Sequence, residues 1–205
     1  MVGLIIKDFL TLRKQLNLLL VLIVLYGAFS FQAGSGAFLS GMVVMLGIFL
    51  NFTSFAYDDQ AKFNVYAATL PLSEKEIVGS KYVVGLIMLV ISTLLSVGLN
   101  VLVASIEKSV HQTFFEMYIL VGGALLFLAA LLPVLYKFGV ERSRIILFML
   151  VLVPAGATAV LSYFNVQIPD LNSIVVWLNG LPIIGIAAYA GSYFLSCYIY
   201  KHKEF

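Results

Sequence analysis

Long uninterrupted runs of apolar residues recur along this chain of 205 residues and restrict the folds open to it. The segments 18–26 and 145–153 contain no charged residue at all. Strands of a membrane barrel would alternate apolar and polar residues, so these runs favour bilayer-spanning helices. A soluble domain of this size could not bury the 62% of residues that are apolar, which argues against a cytosolic enzyme or a nucleic-acid module. The pattern predicts an all-α membrane protein.

The polar interruptions divide the chain into six predicted membrane spans within one transmembrane domain, residues 1–205. The spans are residues 16–31, 37–57, 82–105, 115–136, 145–163 and 181–200. The charged segment 137–144 is predicted to be a loop between the fourth and fifth spans. The segment 174–178 is predicted to be a separate re-entrant or interfacial piece, because Asn179, Gly180 and Pro182 follow it.

Residues 2–15 precede the first span and carry apolar side chains at helical spacing, among them Val2, Ile5, Ile6, Phe9 and Leu12. Lys7 and Thr11 fall on the other side of such a helix. This pattern predicts an elbow helix lying in the headgroup plane, although a plain extension of the first span would also fit.

The distribution of basic residues predicts the orientation in the membrane. With six spans, eleven of the twelve lysines and arginines fall on the same side as both termini, and only Lys108 lies opposite. Because cytoplasmic loops of membrane proteins are enriched in basic residues, both termini are expected in the cytoplasm.

The loop 58–81 contains the most specific local pattern. Asp59 can cap a short helix over 60–70, in which Phe63, Tyr66 and Ala67 share a face, and Pro71 would end that helix. The residues Ser73-Glu74-Lys75-Glu76 form a capping box, which predicts a second helix entering the third span. Two helices meeting at a rigid corner suit docking of a cytosolic partner, whereas a connector lying on the membrane remains the alternative.

Weakly polar side chains form stripes on the second and third spans. These residues could line a translocation path or hydrogen-bond between helices, and they are Asn51, Ser54, Ser92, Ser96 and Asn100. No catalytic motif is present, so the chain is not expected to be an enzyme. The single Cys197 and the widely separated His111 and His202 predict no metal site.

The segment 58–82 resembles a stretch of the type-2 ATP-binding-cassette exporter permeases, in which acidic residues precede Thr-Leu-Pro-x-Ser and a Lys-aromatic pair. It is most similar to small permeases of Gram-positive bacteria, including those that export phenol-soluble modulins or confer immunity to antimicrobial peptides. In that family this loop is the coupling helix that sits in a cleft of a separate ATPase. The resemblance implies that the ATPase contacts Asp58, Asp59, Phe63, Tyr66, Ala67, Leu70, Pro71, Leu72, Ser73, Glu74 and Lys75.

The resemblance also implies the partners and the activity. The sequence has no Walker A motif, so ATP and Mg²⁺ would bind the partner ATPase, and this chain would hold no cofactor. Two permease copies would pair with two ATPases in a bacterial cell membrane and export a hydrophobic or amphipathic substrate, such as a small peptide. A six-span substrate-binding component of a vitamin importer is the alternative.

Overall fold

The computed structural model describes residues 1–13, 15–33, 36–67, 73–107, 110–163 and 171–202, and within these ranges all regular structure is helical. The seven helices are α1 (Val2–Arg13), α2 (Leu16–Ala33), α3 (Gly36–Gln60), α4 (Phe63–Ala67), α5 (Glu74–Glu107), α6 (Val110–Tyr163) and α7 (Leu171–Lys201). The predicted all-α class is therefore confirmed.

Four helical segments in the described residues are long and apolar enough to cross a membrane. They are Leu39–Gln60, Glu74–Leu102, Phe115–Met149 and Gly180–Lys201. A fifth is obtained if Val2–Arg13 and Asn17–Ala28, which meet at 61°, count as one bent span. The described residues thus contain several helices with the length and composition of membrane spans, while the count of six and the elbow stay predictions.

The predicted loop 137–144 is much shorter in the structure, because its residues are helical except at Gly139, where two helical parts of α6 meet. The division into a fourth and a fifth span at this point stays a prediction. Gly139 has φ 72° and ψ 179°, a backbone conformation that is essentially confined to glycine. Ser143, one turn further on, donates a hydrogen bond to the carbonyl of Val134 across the break at 3.1 Å. The charged residues that suggested a loop, including Glu141 and Arg142, lie on the exposed side of the helix.

Residues 174–178 and the last predicted span belong to one helix, since α7 runs unbroken from Leu171 to Lys201 with Pro182 inside it. The part of α7 with the character of a membrane span begins at Gly180, and the re-entrant or interfacial role of 174–178 stays a prediction. Membrane helices tolerate proline more readily than helices in water do, and a neighbouring helix packs closely at this point. A methyl group added to Gly122 of α6 would stand 2.7 Å from the Pro182 nitrogen. The sequence did not show this contact, which joins residues sixty positions apart.

The core lies where α3, α5, α6 and α7 meet. Tyr82 of α5 is hydrogen-bonded through its hydroxyl to Ser192 and Ser196 of α7, each at 2.7 Å. Tyr189 donates to the Tyr82 carbonyl at 2.7 Å, and Ser192 also donates to the Ala129 carbonyl of α6 at 2.6 Å. Because polar groups buried in a bilayer must be satisfied within the protein, these bonds hold three helices in one register.

The first helix packs against α3 and α5. The face that it buries agrees only in part with the apolar stripe predicted from the sequence. Asp8 and Leu12 are its buried residues, whereas Val2 and Ile6, which were grouped with the apolar stripe, are 70% and 52% exposed. The buried face therefore includes a carboxylate, and two of the predicted stripe residues point away from the protein.

Candidate functional site

The segment between α3 and α5 begins with a tight turn. Lys62 adopts a left-handed conformation with φ 51°, which ends α3, and its N–H donates to the Asp59 carbonyl at 3.1 Å. Because α3 continues to Gln60, Asp59 lies inside it and does not cap the next helix. Of the predicted helix over 60–70, the structure shows α4 at Phe63–Ala67, and residues 68–70 lie outside the described ranges. The turn sets the direction in which α4 leaves the bundle.

Helix α4 has one buried side and one exposed side. Ala67 is 1% exposed and belongs to the main core cluster, while Tyr66 is 60% exposed. Phe63 is partly buried, and its ring lies 3.5 Å from the Lys7 ammonium of α1 in a cation–π contact. This short helix is thus attached to the bundle through Ala67 and Phe63 and presents Tyr66 outward.

The predicted capping box at the start of α5 is confirmed. The Glu76 N–H donates to the Ser73 hydroxyl at 3.3 Å, and the Ser73 N–H donates to the Glu76 carboxylate at 3.0 Å. These reciprocal bonds satisfy backbone donors that a helix start leaves unpaired. The start of α5 is therefore fixed at Ser73 by bonds between its own residues.

We expect Ser73→Ala to destabilise the protein by about 1 kcal/mol, because the exposed first turn of α5 loses its cap. The partly buried Cys197, the single cysteine of the chain, allows thermal unfolding to be followed with a thiol-reactive dye. Ser73→Thr should unfold near the wild-type temperature, since threonine also caps. Equal unfolding temperatures for Ser73→Ala and the wild type would contradict this assignment.

A cluster of four charged residues lies behind this segment and joins three helices. Lys81 of α5 contacts Asp8 of α1 at 2.9 Å and Asp58 of α3 at 2.5 Å. Lys7 of α1 contacts Asp58 at 2.6 Å and Asp8 at 3.3 Å. Two positive and two negative charges are thereby balanced, and α1 is fastened to both ends of the segment between α3 and α5.

The centre of this ion cluster is deeply buried. Asp8 is 1% exposed and Lys81 is 7% exposed. The Lys81 ammonium also donates to the Ser54 hydroxyl at 2.7 Å and lies 5.0 Å from the Phe55 ring centroid. Because desolvating isolated charges is very unfavourable, each member depends on the others remaining in place.

Asp59 connects the same region to the break in α6. Its carboxylate accepts a hydrogen bond from the Val140 N–H at 3.1 Å, just after Gly139. That N–H begins the second part of α6 and, because of the break, depends on a partner outside the helix. The two consecutive aspartates thus point to different neighbours, with Asp58 bound to lysines of α1 and α5 and Asp59 bound to the backbone of α6.

The described coupling residues divide into outward-facing and inward-facing sets. Asp59, Tyr66, Ser73, Glu74 and Lys75 are exposed, whereas Asp58, Phe63 and Ala67 face neighbouring helices to different extents. Leu70, Pro71 and Leu72 lie outside the described residues. The ATPase-contacting role of the set stays a prediction, and the exposed residues are the ones positioned to meet a partner.

The five residues predicted as a translocation path are buried inside this single chain. The hydroxyl of Ser54 binds Lys81, and the side-chain amide of Asn51 donates to the Gly47 carbonyl at 3.2 Å. Ser92 donates to the Leu89 carbonyl at 3.0 Å, Ser96 donates to the sulfur of Met117 at 3.8 Å, and Asn100 donates to the Ser40 hydroxyl. These contacts within and between helices are enough to explain why the five polar residues are buried. Their role in a translocation path stays a prediction.

Sequence reasoning missed Lys7, Asp8 and Lys81 as members of this site. Asp8 is separated from Lys81 by 73 positions, so no local pattern pairs them. One available signal was the position of Asp8 four residues before Leu12, which places a carboxylate on the same helix face as an apolar residue. Among the described residues no group of three or more histidines, cysteines and acidic residues could hold a metal ion.

The amino-acid sequence was also compared with known protein families. The model of a family described as "ABC-2 family transporter protein" matches residues 3–201. The chain belongs to this family. An ABC-2 transporter membrane protein works with a partner ATPase, and the several apolar helices agree with a multi-pass membrane location. No curated protein and no solved structure matches this ABC-2 family chain.

Proposed function

We propose that this ABC-2 family member is the permease subunit of an ATP-driven exporter. Two copies, or this chain and a related one, pair with two cytosolic ATPase subunits that bind ATP and Mg²⁺. The chain itself performs no chemistry, and residues 58–81 are its contact with the ATPase. The resemblance to small permeases of Gram-positive bacteria supports outward transport of a hydrophobic or amphipathic substrate, with a small peptide as the first candidate.

The observation that carries this proposal is the attachment of an outward-facing segment to several helices at once. Tyr66, Glu74 and Lys75 are exposed on the segment, while the ion cluster and Asp59 connect its ends to α1, α3, α5 and α6. A segment held in this way transmits a displacement to the helices, whereas a flexible connector would absorb it.

The proposed mechanism follows from those attachments. Closure of the ATPase dimer on ATP pushes α4 through its exposed side. The movement reaches α1 through the contact between Phe63 and Lys7, and it reaches α5 through Asp58 and Lys81. Asp59 passes it to Val140 at the break in α6, where one glycine divides the helix into two parts that can change their relative angle.

The proposal includes six spans, with α2 as the first and the two parts of α6 on either side of Gly139 as the fourth and fifth. Both termini and the 58–81 segment then lie in the cytoplasm, as expected from the basic residues.

Cysteine labelling from each side of sealed vesicles tests this six-span arrangement. Single cysteines are placed at positions 75 and 108 in a Cys197→Ser background. Labelling of both positions from the same side would contradict the six-span arrangement.

The proposed partner contact predicts that Tyr66→Asp weakens capture of the ATPase about tenfold or more. Aromatic side chains are common binding hot spots, and an exposed charge in place of the ring would be desolvated on docking. The tagged full-length chain is isolated from its native membranes in mild detergent, and the co-purified subunit is identified by its P-loop and by ATP hydrolysis. Its amount is measured per permease.

His202→Asp serves as the control, because His202 is an exposed aromatic residue just after the end of α7, outside both the segment and the membrane spans. It should retain the ATPase, and both variants should unfold near the wild-type temperature. If both variants retain the ATPase equally, or if the folded wild-type chain captures no ATPase, the proposed coupling role of this segment is wrong.

A further inference from the structure

An apolar cavity lies away from the coupling segment, in the angle between α1 and α2 and against α3 and α5. Its volume is about 370 Å³, within the range of small-molecule and lipid-sized sites. The lining residues come from all four helices and are Phe9, Leu12, Arg13, Leu19, Leu20, Ile23, Val43, Leu46, Gly47, Leu50, Met88, Ile91, Ser92 and Leu95.

The polar groups of this cavity are few and differ in what they bind. The Ser92 hydroxyl donates to the Leu89 carbonyl, so its donor is already used within α5. Arg13 is exposed in the last turn of α1, and within the described residues it makes no ion pair or hydrogen bond. By contrast, Lys7 on the same helix is paired with two aspartates. Arg13 is therefore a guanidinium available to an anion at the edge of an apolar cavity.

The cavity is charged at one edge and apolar along its walls, as a membrane lipid is charged at its headgroup and apolar along its chains. Arg13 lies on α1, the helix expected at the membrane surface, and the walls below it are apolar. Along α5 the lining extends from Met88 to Leu95, a rise of about 10 Å along the helix. The predicted elbow position of α1 would place the cationic group at headgroup level, and an acyl chain entering the cavity would contact leucine, isoleucine and methionine side chains.

We infer that this cavity binds one acyl chain of an anionic phospholipid from the leaflet that faces α1, with the lipid phosphate on Arg13. Arginine pairs with phosphate through parallel hydrogen bonds, which favours a fixed headgroup position. An anionic lipid complements the unpaired cation, whereas a zwitterionic lipid carries its own compensating charge. The bound lipid fills the space that the side chains leave between these four helices, and it thereby connects α1 and α2 to α3 and α5. The inference requires membrane insertion but does not rest on the proposed export activity.

The experiment measures lipid binding to the purified, delipidated full-length chain by native mass spectrometry. Phosphatidylglycerol and phosphatidylcholine with identical acyl chains are titrated separately. The wild type should bind one phosphatidylglycerol at least about fivefold more tightly than phosphatidylcholine, the effect expected for one basic residue at a membrane surface. Arg13→Gln should remove this preference, while Arg142→Gln, which changes an exposed arginine of α6 outside the cavity, should keep it.

Substitutions at two neighbouring leucines test whether the lipid is bound inside the cavity. Leu95 lines it and Leu94 does not, although both are exposed on α5. Leu95→Trp should fill the cavity and lower phosphatidylglycerol binding tenfold or more, whereas Leu94→Trp should leave it unchanged. Dye-monitored unfolding confirms that both variants are folded, and a folded Ile91→Trp variant replaces Leu95→Trp if that chain does not fold.

Three results would overturn the inference. Equal binding of the two lipids, unaffected by Arg13→Gln, would show that any acyl chain fills the space. Equal effects of Leu94→Trp and Leu95→Trp would place bound lipid elsewhere. If Leu95→Trp lowers the dimer fraction in mass photometry and leaves lipid binding intact, a second copy of this chain covers the cavity.

Discussion

Replacing Lys81 by methionine should destabilise the protein by about 3–5 kcal/mol, the range for removing one partner of a buried ion pair. Asp8 and Asp58 would then share the remaining Lys7, and the carboxylate of Asp8 would stay almost completely buried. With about 2–4 °C per kcal/mol for a chain of this size, the unfolding temperature should fall by roughly 10 °C. Thiol-dye unfolding at Cys197 in detergent measures this shift.

Two variants determine whether the loss comes from charge. Lys75→Met removes an exposed lysine of the same helix and should change stability by no more than about 0.5 kcal/mol. Lys81→Met combined with Asp8→Asn removes one charge of each sign, and it should recover at least half of the lost stability, because one buried negative charge is gone. The ion cluster would have no stabilising role if Lys81→Met and Lys75→Met unfolded at the same temperature.

Replacing Gly139 by alanine should destabilise the protein by about 1–3 kcal/mol. The combination of φ 72° and ψ 179° is strained for a residue with a Cβ atom. The nearest atom to an added methyl group is a carboxylate oxygen of Asp59 at 3.7 Å, an ordinary contact, so the effect comes from the backbone. Relief of the strain would require a different angle between the two parts of α6, which would also disturb the hydrogen bond from Val140 to Asp59.

Gly123→Ala is the matched control, since this glycine lies in the helical part of α6 and an added methyl group meets no atom within 4 Å. Alanine is the better helix former, so Gly123→Ala should raise stability slightly or leave it unchanged. Unfolding temperatures of both variants are compared with that of the wild type. If Gly139→Ala is as stable as Gly123→Ala, the break does not depend on glycine.

Ser73 and Pro182 show which structural features can be predicted from neighbouring residues in the sequence and which cannot. The Ser73–Glu76 box was predictable, because its two residues are three positions apart and their bonds need nothing else. Pro182 was predicted to interrupt the last helix because an isolated helix would be broken there. In the structure the helix continues through Pro182, which packs closely against Gly122 of α6, sixty positions away.

The sequence by itself determined the class of this protein, because apolar runs of span length admit few structures in a bilayer and every backbone group must then bond within a helix. It also determined the capped start of α5 and the location of the segment between α3 and α5. Only the tertiary structure decided that Asp8, Asp58, Lys7 and Lys81 meet in one cluster and that Asp59 reaches Val140. Those pairings join residues up to 81 positions apart. They depend on how the helices pack, which local spacing along the chain does not specify.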